Sequence, residues 1–240
     1  MLCYIDVETT GLEKEDRICS IGLIVVGRDK TDTYYDLVKT PKKIPPEAMA
    51  VHHITNEMLK DAPAFWDASA VQRLQELNHT ETTLVGHNLA FDLQMLEKEG
   101  LTWQGGMIDT LKCVKHLLGG EIEHFSLQFL RYELRLYRGE AAAAEPLGIT
   151  PVAHHALSDA FHTMLLYRYL GEMADDEQLM RLTTEQALIH KLPFGKYGGK
   201  YIEDIARRDP GYLEWMLNSL SDLDEDLRYS IEYYLNEVRQ

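Results

Sequence analysis

Five residues of this chain have the types and spacing to do chemistry together: Asp6, Glu8, Asp92, His154 and Asp159. Asp6 and Glu8 end the apolar run LCYIDVET with only Val7 between them. Alternate side chains of a strand share a face, so these two carboxylates would lie side by side. Like charges that close raise each other's pKa unless a cation lies between them. Asp92 falls in VGHNLAFD, in the first turn of a helix that follows a short strand, and Asp159 falls near the start of a long helix in HHALSDA. His154 lies in the loop before that helix. Taken singly, each has a plainer reading: a solvated strand end, a helix cap or dipole partner, a structural histidine at a loop junction. Taken together, the four acids could converge on one edge of a sheet, where they cannot all stay ionised without cations. Ligands that are all oxygen select hard ions, Mg²⁺ or Mn²⁺, over zinc.

A cluster of this kind must be held by regular elements. Residues 2–7, 18–27 and 32–39 are rich in Ile, Val and Tyr and read as three consecutive strands. After a proline-broken loop over 39–55, the spacing of apolar residues predicts a helix over 64–77, a strand over 82–88 and a helix over 90–100 stopped by Gly100. A strand over 106–110, a helix over 111–120 and an amphipathic helix over 126–136 follow. Residues 139–151, GEAAAAEPLGITP, read as a surface loop, and 154–173 as a long helix. An opening meander that leads into strand–helix crossovers is an α/β pattern. A boundary is expected near residue 185, which gives domains over 1–180 and 190–240. The second is too short for a large core and is expected to dock on the first.

Composition narrows the function. With 45% hydrophobic and 26% charged residues the chain has the make-up of a globular protein, which excludes a disordered one. Its longest apolar stretch, SIGLIVVG at 20–27, is far shorter than the roughly 20 residues that span a bilayer. No basic segment with an apolar run precedes the first strand, so a cytoplasmic location with no membrane partner is expected. Cys3, Cys19 and Cys113 have no C-x-x-C spacing, which argues against a disulfide framework and against a zinc site. The net charge of −15 argues against a non-enzymatic nucleic-acid binder. It weighs less against an enzyme that engages few phosphates and carries its own carboxylates.

DVETTGL, GHNLAFD and HHALSD, in that order, resemble the three motifs of the DnaQ-like, or DEDDh, 3′–5′ exonucleases. The resemblance extends to PPEAMAVHHITNEML and MIDTLKCVKHL and covers most of residues 1–172. The tail LPFGKYGGKYIEDIARRDPGYLEWMLNSL resembles the small C-terminal region of exonuclease X-type members. The resemblance implies an RNase H-like mixed sheet with flanking helices, plus a small C-terminal α-rich region. It implies that Asp6, Glu8, Asp92 and Asp159 hold two divalent metal ions, and that His154, five positions before Asp159, is the general base. His155 is the neighbour that could be confused with it.

The resemblance also implies that Thr9, Thr10, Gly11 and Leu12 line the pocket for the 3′-terminal nucleotide, with Leu12 against the base. His52, Asn88 and Phe91 would approach the sugar or the adjacent phosphate. Plain core packing is the other reading of Leu12 and Phe91. Asp109 and His87 read as structural, Asp109 as a helix cap.

The implied activity is a metal-dependent 3′–5′ exodeoxyribonuclease that acts on single-stranded or frayed DNA 3′ ends and releases nucleoside monophosphates, in DNA repair or proofreading. Two alternatives stay open. One is trimming of RNA ends, since no feature of the sequence accepts or rejects a 2′-OH. The other is a non-catalytic subunit associated with a polymerase, against which the intact set of acids and His154 argues. Residues 190–201 contain Lys191, Lys196 and Lys200 beside Phe194 and Tyr197, and no acid. This turn either extends the substrate groove or carries solvated lysines.

Overall fold

The computed structural model describes residues 1–122 and 124–239. Strands β1 (Leu2–Thr9), β2 (Ile18–Val26) and β3 (Thr31–Leu37) form the expected antiparallel meander. Helices α1 (Pro46–His52) and α2 (Ser69–Glu76) then lead to β4 (Thr83–Gly86), which lies parallel to β1. α3 (Leu89–Lys98) crosses to β5 (Gly106–Asp109), parallel to β4. The sheet is therefore mixed, in the order β3-β2-β1-β4-β5. α4 (Thr110–Leu118), α5 (Leu127–Glu133), α6 (Tyr137–Ala144), α7 (Ala156–Leu170) and α8 (Asp176–Thr184) follow. α9 (Ile202–Arg208), α10 (Pro210–Ser219) and α11 (Glu225–Arg239) close the chain. Among the described residues no helix is long and apolar enough to cross a membrane, and the three cysteines are buried and free.

β1 runs through the middle of the sheet, and its alternation decides what each face receives. Cys3, Ile5 and Val7 enter a core shared with Val71 and Leu74 of α2 and Met95 and Leu96 of α3. Tyr4 points the other way, into a core built with Val114 of α4 and Ala160, Phe161 and Met164 of α7. A third cluster, formed by Leu192, Ile202, Ile205, Leu213, Met216, Leu227 and Ile231, belongs to the C-terminal segment.

Three local expectations are corrected. The loop expected over 139–151 is largely helical, because α6 takes up the alanine run; alanine is the strongest helix former and Ala144 is buried. The proline-broken loop over 39–55 contains α1, whose first residue is Pro46, the helix position that needs no N–H. The helix expected over 64–77 is split. A 3₁₀ turn at Phe65–Asp67 is followed by extended Ala68, and α2 starts at Ser69. The Asp36 carboxylate of β3 accepts from Ser69 Oγ at 2.8 Å and Ala70 N at 2.7 Å, so a neighbouring strand caps the helix.

Candidate active site

Asp6 and Glu8 continue the Tyr4 face of β1, the face over which α7 packs. The start of α7 comes down on the sheet at Gly22, the residue paired with Asp6 across β1 and β2. A Cβ at Gly22 would lie 2.2 Å from the Leu157 backbone nitrogen, so only glycine allows this approach. Asp159, in the first turn of α7, is thereby brought to the two strand acids. Carboxylate oxygens of Asp6, Glu8 and Asp159 all lie within 4.8 Å of one another. Asp92, in the first turn of α3, lies outside that group of three; its Oδ1 accepts from Val7 N, the residue between the two strand acids, at 3.1 Å, and its charge acts on Asp6.

The electrostatics match that crowding. Burial, then the charges of Asp92, Asp159 and Glu8, hold the Asp6 carboxyl well above the carboxylate range. Burial, then Asp159, pushes Glu8 up to about 8. Burial also raises Asp92, against the opposing pull of the Val7 N–H. An all-oxygen set whose members repel one another at neutral pH fits a hard divalent cation, which would restore their charged forms.

The two adjacent histidines differ in their freedom. His154 is exposed and holds a left-handed backbone, φ 58°, a conformation non-glycine residues adopt at a cost. His155 is half-buried, and its ring stacks on Tyr35 of β3 with centroids 4.3 Å apart and planes at 21°. His52 is buried, with Nε2 3.9 Å from Cys19 Sγ and Nδ1 accepting from Ile54 N at 3.0 Å. Burial holds its pKa below the usual histidine range, and the charges of His53 and, less strongly, His154 add to this. His87 bonds Phe125 O at 2.7 Å and Thr110 Oγ1 at 2.9 Å, and burial pushes it down to about 4.

The turn after β1 is tied by Asp16. Its carboxylate accepts from Thr10 Oγ1 at 2.6 Å, Glu13 N at 2.7 Å and Lys42 Nζ at 2.6 Å. A Cβ at Gly11, φ 150°, would meet Asp16 Oδ2 at 2.6 Å. Thr9 is buried and donates to Gly11 O at 2.8 Å. The hydroxyls of Thr9 and Thr10 are thus committed to the turn, whereas Leu12 projects from it 79% exposed and is no core residue. Phe91 is half-buried against the first core, and Asn88 is exposed at φ 66° before α3. Asp109 caps α4 through Leu111 N at 2.9 Å, and it also accepts from Asn88 N at 2.9 Å and Leu89 N at 3.1 Å. One buried carboxylate therefore fixes the loop from which Asn88 and Asp92 extend.

Sequence reasoning missed the support behind Asp159. Gln128 of α5 donates from Nε2 to Asp159 Oδ1 at 2.7 Å, and Arg131 Nη1 donates to Gln128 Oε1 at 3.2 Å. Arg131 Nε is held in turn by Glu140 Oε2 of α6 at 2.7 Å, and His162 Nδ1 lies 3.3 Å from Asp159 Oδ1. The only signal in the sequence was that Gln128 and Arg131 share a helix face at a spacing of three. Gln128→Leu is expected to weaken Mn²⁺ binding by isothermal titration about tenfold, as loss of a ligand-orienting bond typically does. An unchanged Kd would show that Asp159 is oriented without it.

Residues 3–167 match the exonuclease family. The chain belongs to that family. This exonuclease has the RNase H-like mixed sheet with flanking helices, and exonucleases of its family depend on divalent metal. Residues 192–221 match the exodeoxyribonuclease X-like C-terminal family. Along its length the exonuclease is 30% identical over 243 residues to exodeoxyribonuclease 10 of Escherichia coli strain K12, with 99% of this chain and 100% of the relative covered. It is also 30% identical over 169 residues to DNA polymerase III subunit epsilon of Treponema pallidum, covering 63% of this chain and 76% of that one. A solved structure of exonuclease X in complex with 5′ overhanging duplex DNA superposes with a TM-score of 0.60 at 27% identity, over 76% of this chain and 99% of that one.

Proposed function

We propose that this protein is a 3′–5′ exodeoxyribonuclease that removes nucleoside monophosphates from single-stranded or frayed DNA 3′ ends, in DNA repair or proofreading. The observation that carries the reading is the convergence of Asp6, Glu8 and Asp159 within 4.8 Å, with Asp92 beside them, in a chain that matches an exodeoxyribonuclease over its whole length. Two divalent ions, Mg²⁺ or Mn²⁺, held by these four carboxylates would neutralise the phosphate and activate the attacking water.

The chain's own residues have separable tasks. His154, exposed in the loop before α7, accepts the proton of the attacking water at a ring nitrogen, a role suited to imidazole. His155 cannot compete for that role while it is stacked on Tyr35. Leu12 offers an apolar side chain to the terminal base from a turn that Asp16 keeps rigid, and the backbone of Thr9, Thr10 and Gly11 shapes the same pocket. Asn88, Phe91 and His52 approach the sugar or adjacent phosphate, His52 from its buried place beside Cys19. The proposal divides the chain into an exonuclease domain over 1–180 and a small domain over 190–240, supported by their separate apolar clusters. A cytoplasmic location belongs to the same proposal, supported by a DNA substrate and by cysteines that are free.

The test uses 5′-labelled single-stranded DNA and matched RNA, with Mg²⁺ and with chelator. A ladder that shortens from the 3′ end, stops with chelator and runs faster on DNA is the expected result. Faster shortening of RNA would move the assignment to an exoribonuclease. No shortening with any divalent metal would end the catalytic reading.

A further inference from the structure

A cavity of about 320 Å³ lies between the end of α4 with the loop after it and the turn that precedes α9. Ile122, Phe125 and Leu188 contribute apolar walls, while Phe194 and Tyr201 stand at the open side, 48% and 52% exposed. Lys191 Nζ lies 4.9 Å from the Tyr201 ring centroid. A volume in the range of small-ligand pockets, walled by rings and accompanied by cations, suits a flat aromatic guest.

Two observations say which guest. The turn over 190–201 carries three lysines and no acid in a chain of net charge −15; Lys196 pairs with Asp209 at 3.2 Å, while Lys200 stands between Gly199 and Tyr201, which line the cavity along with the acids Glu121 and Asp224. Lys200 is exposed and makes no ion pair among the described residues, whereas the acid Asp224 at the rim faces Lys115 at 3.7 Å. The second observation is continuity with the active site. Phe125, a wall of the cavity, is the residue whose carbonyl binds His87 at 2.7 Å, and His87 directly precedes Asn88. The cavity wall is thereby one hydrogen bond away from the loop that carries Asn88.

We propose that the cavity takes one unpaired base of the substrate strand, upstream of the bond that is cut, stacked between Phe194 and Tyr201 while Lys200 attends the backbone. The inference rests on the exonuclease reading and gives the C-terminal segment a substrate-gripping task. Exposed rings beside cations are the usual platform for single-stranded nucleic acid. An apolar segment of another protein would use the Ile and Leu walls but would leave exposed Lys200 without a counter-charge.

The test measures KM for a 15-nucleotide single strand in which one abasic position is moved along the chain, with a dinucleotide too short to reach the cavity as reference. With the wild type, KM is expected to rise about tenfold when the abasic position is the one that should occupy the cavity. In Phe194→Ala/Tyr201→Ala the ratio of KM for the intact 15-mer to KM for the dinucleotide is expected to rise by a similar factor, and the abasic profile to become flat. Both rings are half exposed, so the fold tolerates their loss, and the abasic series on the wild type needs no substitution. A flat profile in the wild type, or an unchanged ratio in the variant, overturns the inference and leaves the cavity to an apolar protein segment. If the wild type cuts neither substrate, the exonuclease reading falls and this one with it. If it cuts both with a flat profile, only this one falls.

Discussion

Replacing Asp6 by Asn is expected to abolish 3′-end shortening and, in metal-free protein at alkaline pH, to raise the melting temperature. The loss of rate should be at least about 10³-fold, the several kcal/mol of transition-state stabilisation that a correctly held metal supplies. The gain in stability follows from the same crowding. Asp6 is held above the carboxylate range by burial and by Asp92, Asp159 and Glu8. A carboxyl whose pKa is raised on folding contributes stability below its unfolded pKa and loses it as pH rises through the folded value. For Glu8 that window runs from the ordinary 4.5 to about 8. Metal-free wild-type protein should therefore melt at falling temperatures as pH rises across this window, and Asp6→Asn should flatten the slope. Saturating Mg²⁺ should raise the melting temperature of the wild type more than that of Asp6→Asn. The decisive measurement is scanning calorimetry from pH 5 to 9 with and without metal; a wild-type melting temperature that ignores both pH and Mg²⁺ would refute the metal assignment.

The second large effect is expected at Asp226, far from the cleft. This α11 carboxylate is 1% exposed and bonds Lys112 Nζ, Lys115 Nζ at 2.7 Å and Ala187 N at 3.0 Å. Lys112 and Lys115 belong to α4 of the exonuclease domain, so one buried acid joins the C-terminal segment to the sheet-bearing part. Asp226→Ala leaves the Lys112 ammonium and the Ala187 N–H without their acceptor and Lys115 with only Asp224, 3.7 Å away, which costs about 3–5 kcal/mol. In a chain of this length that lowers the melting temperature by on the order of 10 °C.

Limited proteolysis of Asp226→Ala should cut near residues 184–190 before the wild type is touched. Burial raises the Asp226 pKa, but the bonds from Lys112 and Lys115 outweigh it and hold the carboxyl below its usual range. The latch is therefore complete at neutral pH and weakens as pH falls through the carboxylate range. Replacing all three charges together, Asp226→Leu with Lys112→Met and Lys115→Met, should cost less than Asp226→Ala alone. Equal costs would mean that the acid does not act through the lysines.

The elements on which the site depends were legible where one physical rule governs them. β1, β2 and β3 follow β-branched and aromatic runs, and α3 and α7 follow helical spacing, so each carboxylate was placed on its element from local pattern alone. α6 was misread because the Gly and Pro of GEAAAAEPLG flank the alanines, and turn residues outweighed helix propensity in that reading. The break before α2 was hidden because its cap comes from Asp36, 33 residues earlier.

By itself, the sequence determined the residue types of the site, their order along the chain, the face of β1 that Asp6 and Glu8 share, and the exonuclease kinship. Only the tertiary structure decided that Asp6, Glu8 and Asp159 meet. Gly22 lets α7 bring Asp159 within reach of Asp6, Gln128 turns the Asp159 carboxylate, and stacking on Tyr35 separates His155 from exposed His154. The latch at Asp226 and the cavity beneath Phe194 were likewise decided there. The reason is range: a period of two or of 3.6 residues is written in neighbours, whereas a contact between residues far apart in the chain depends on how closely packed elements approach, which no local pattern records.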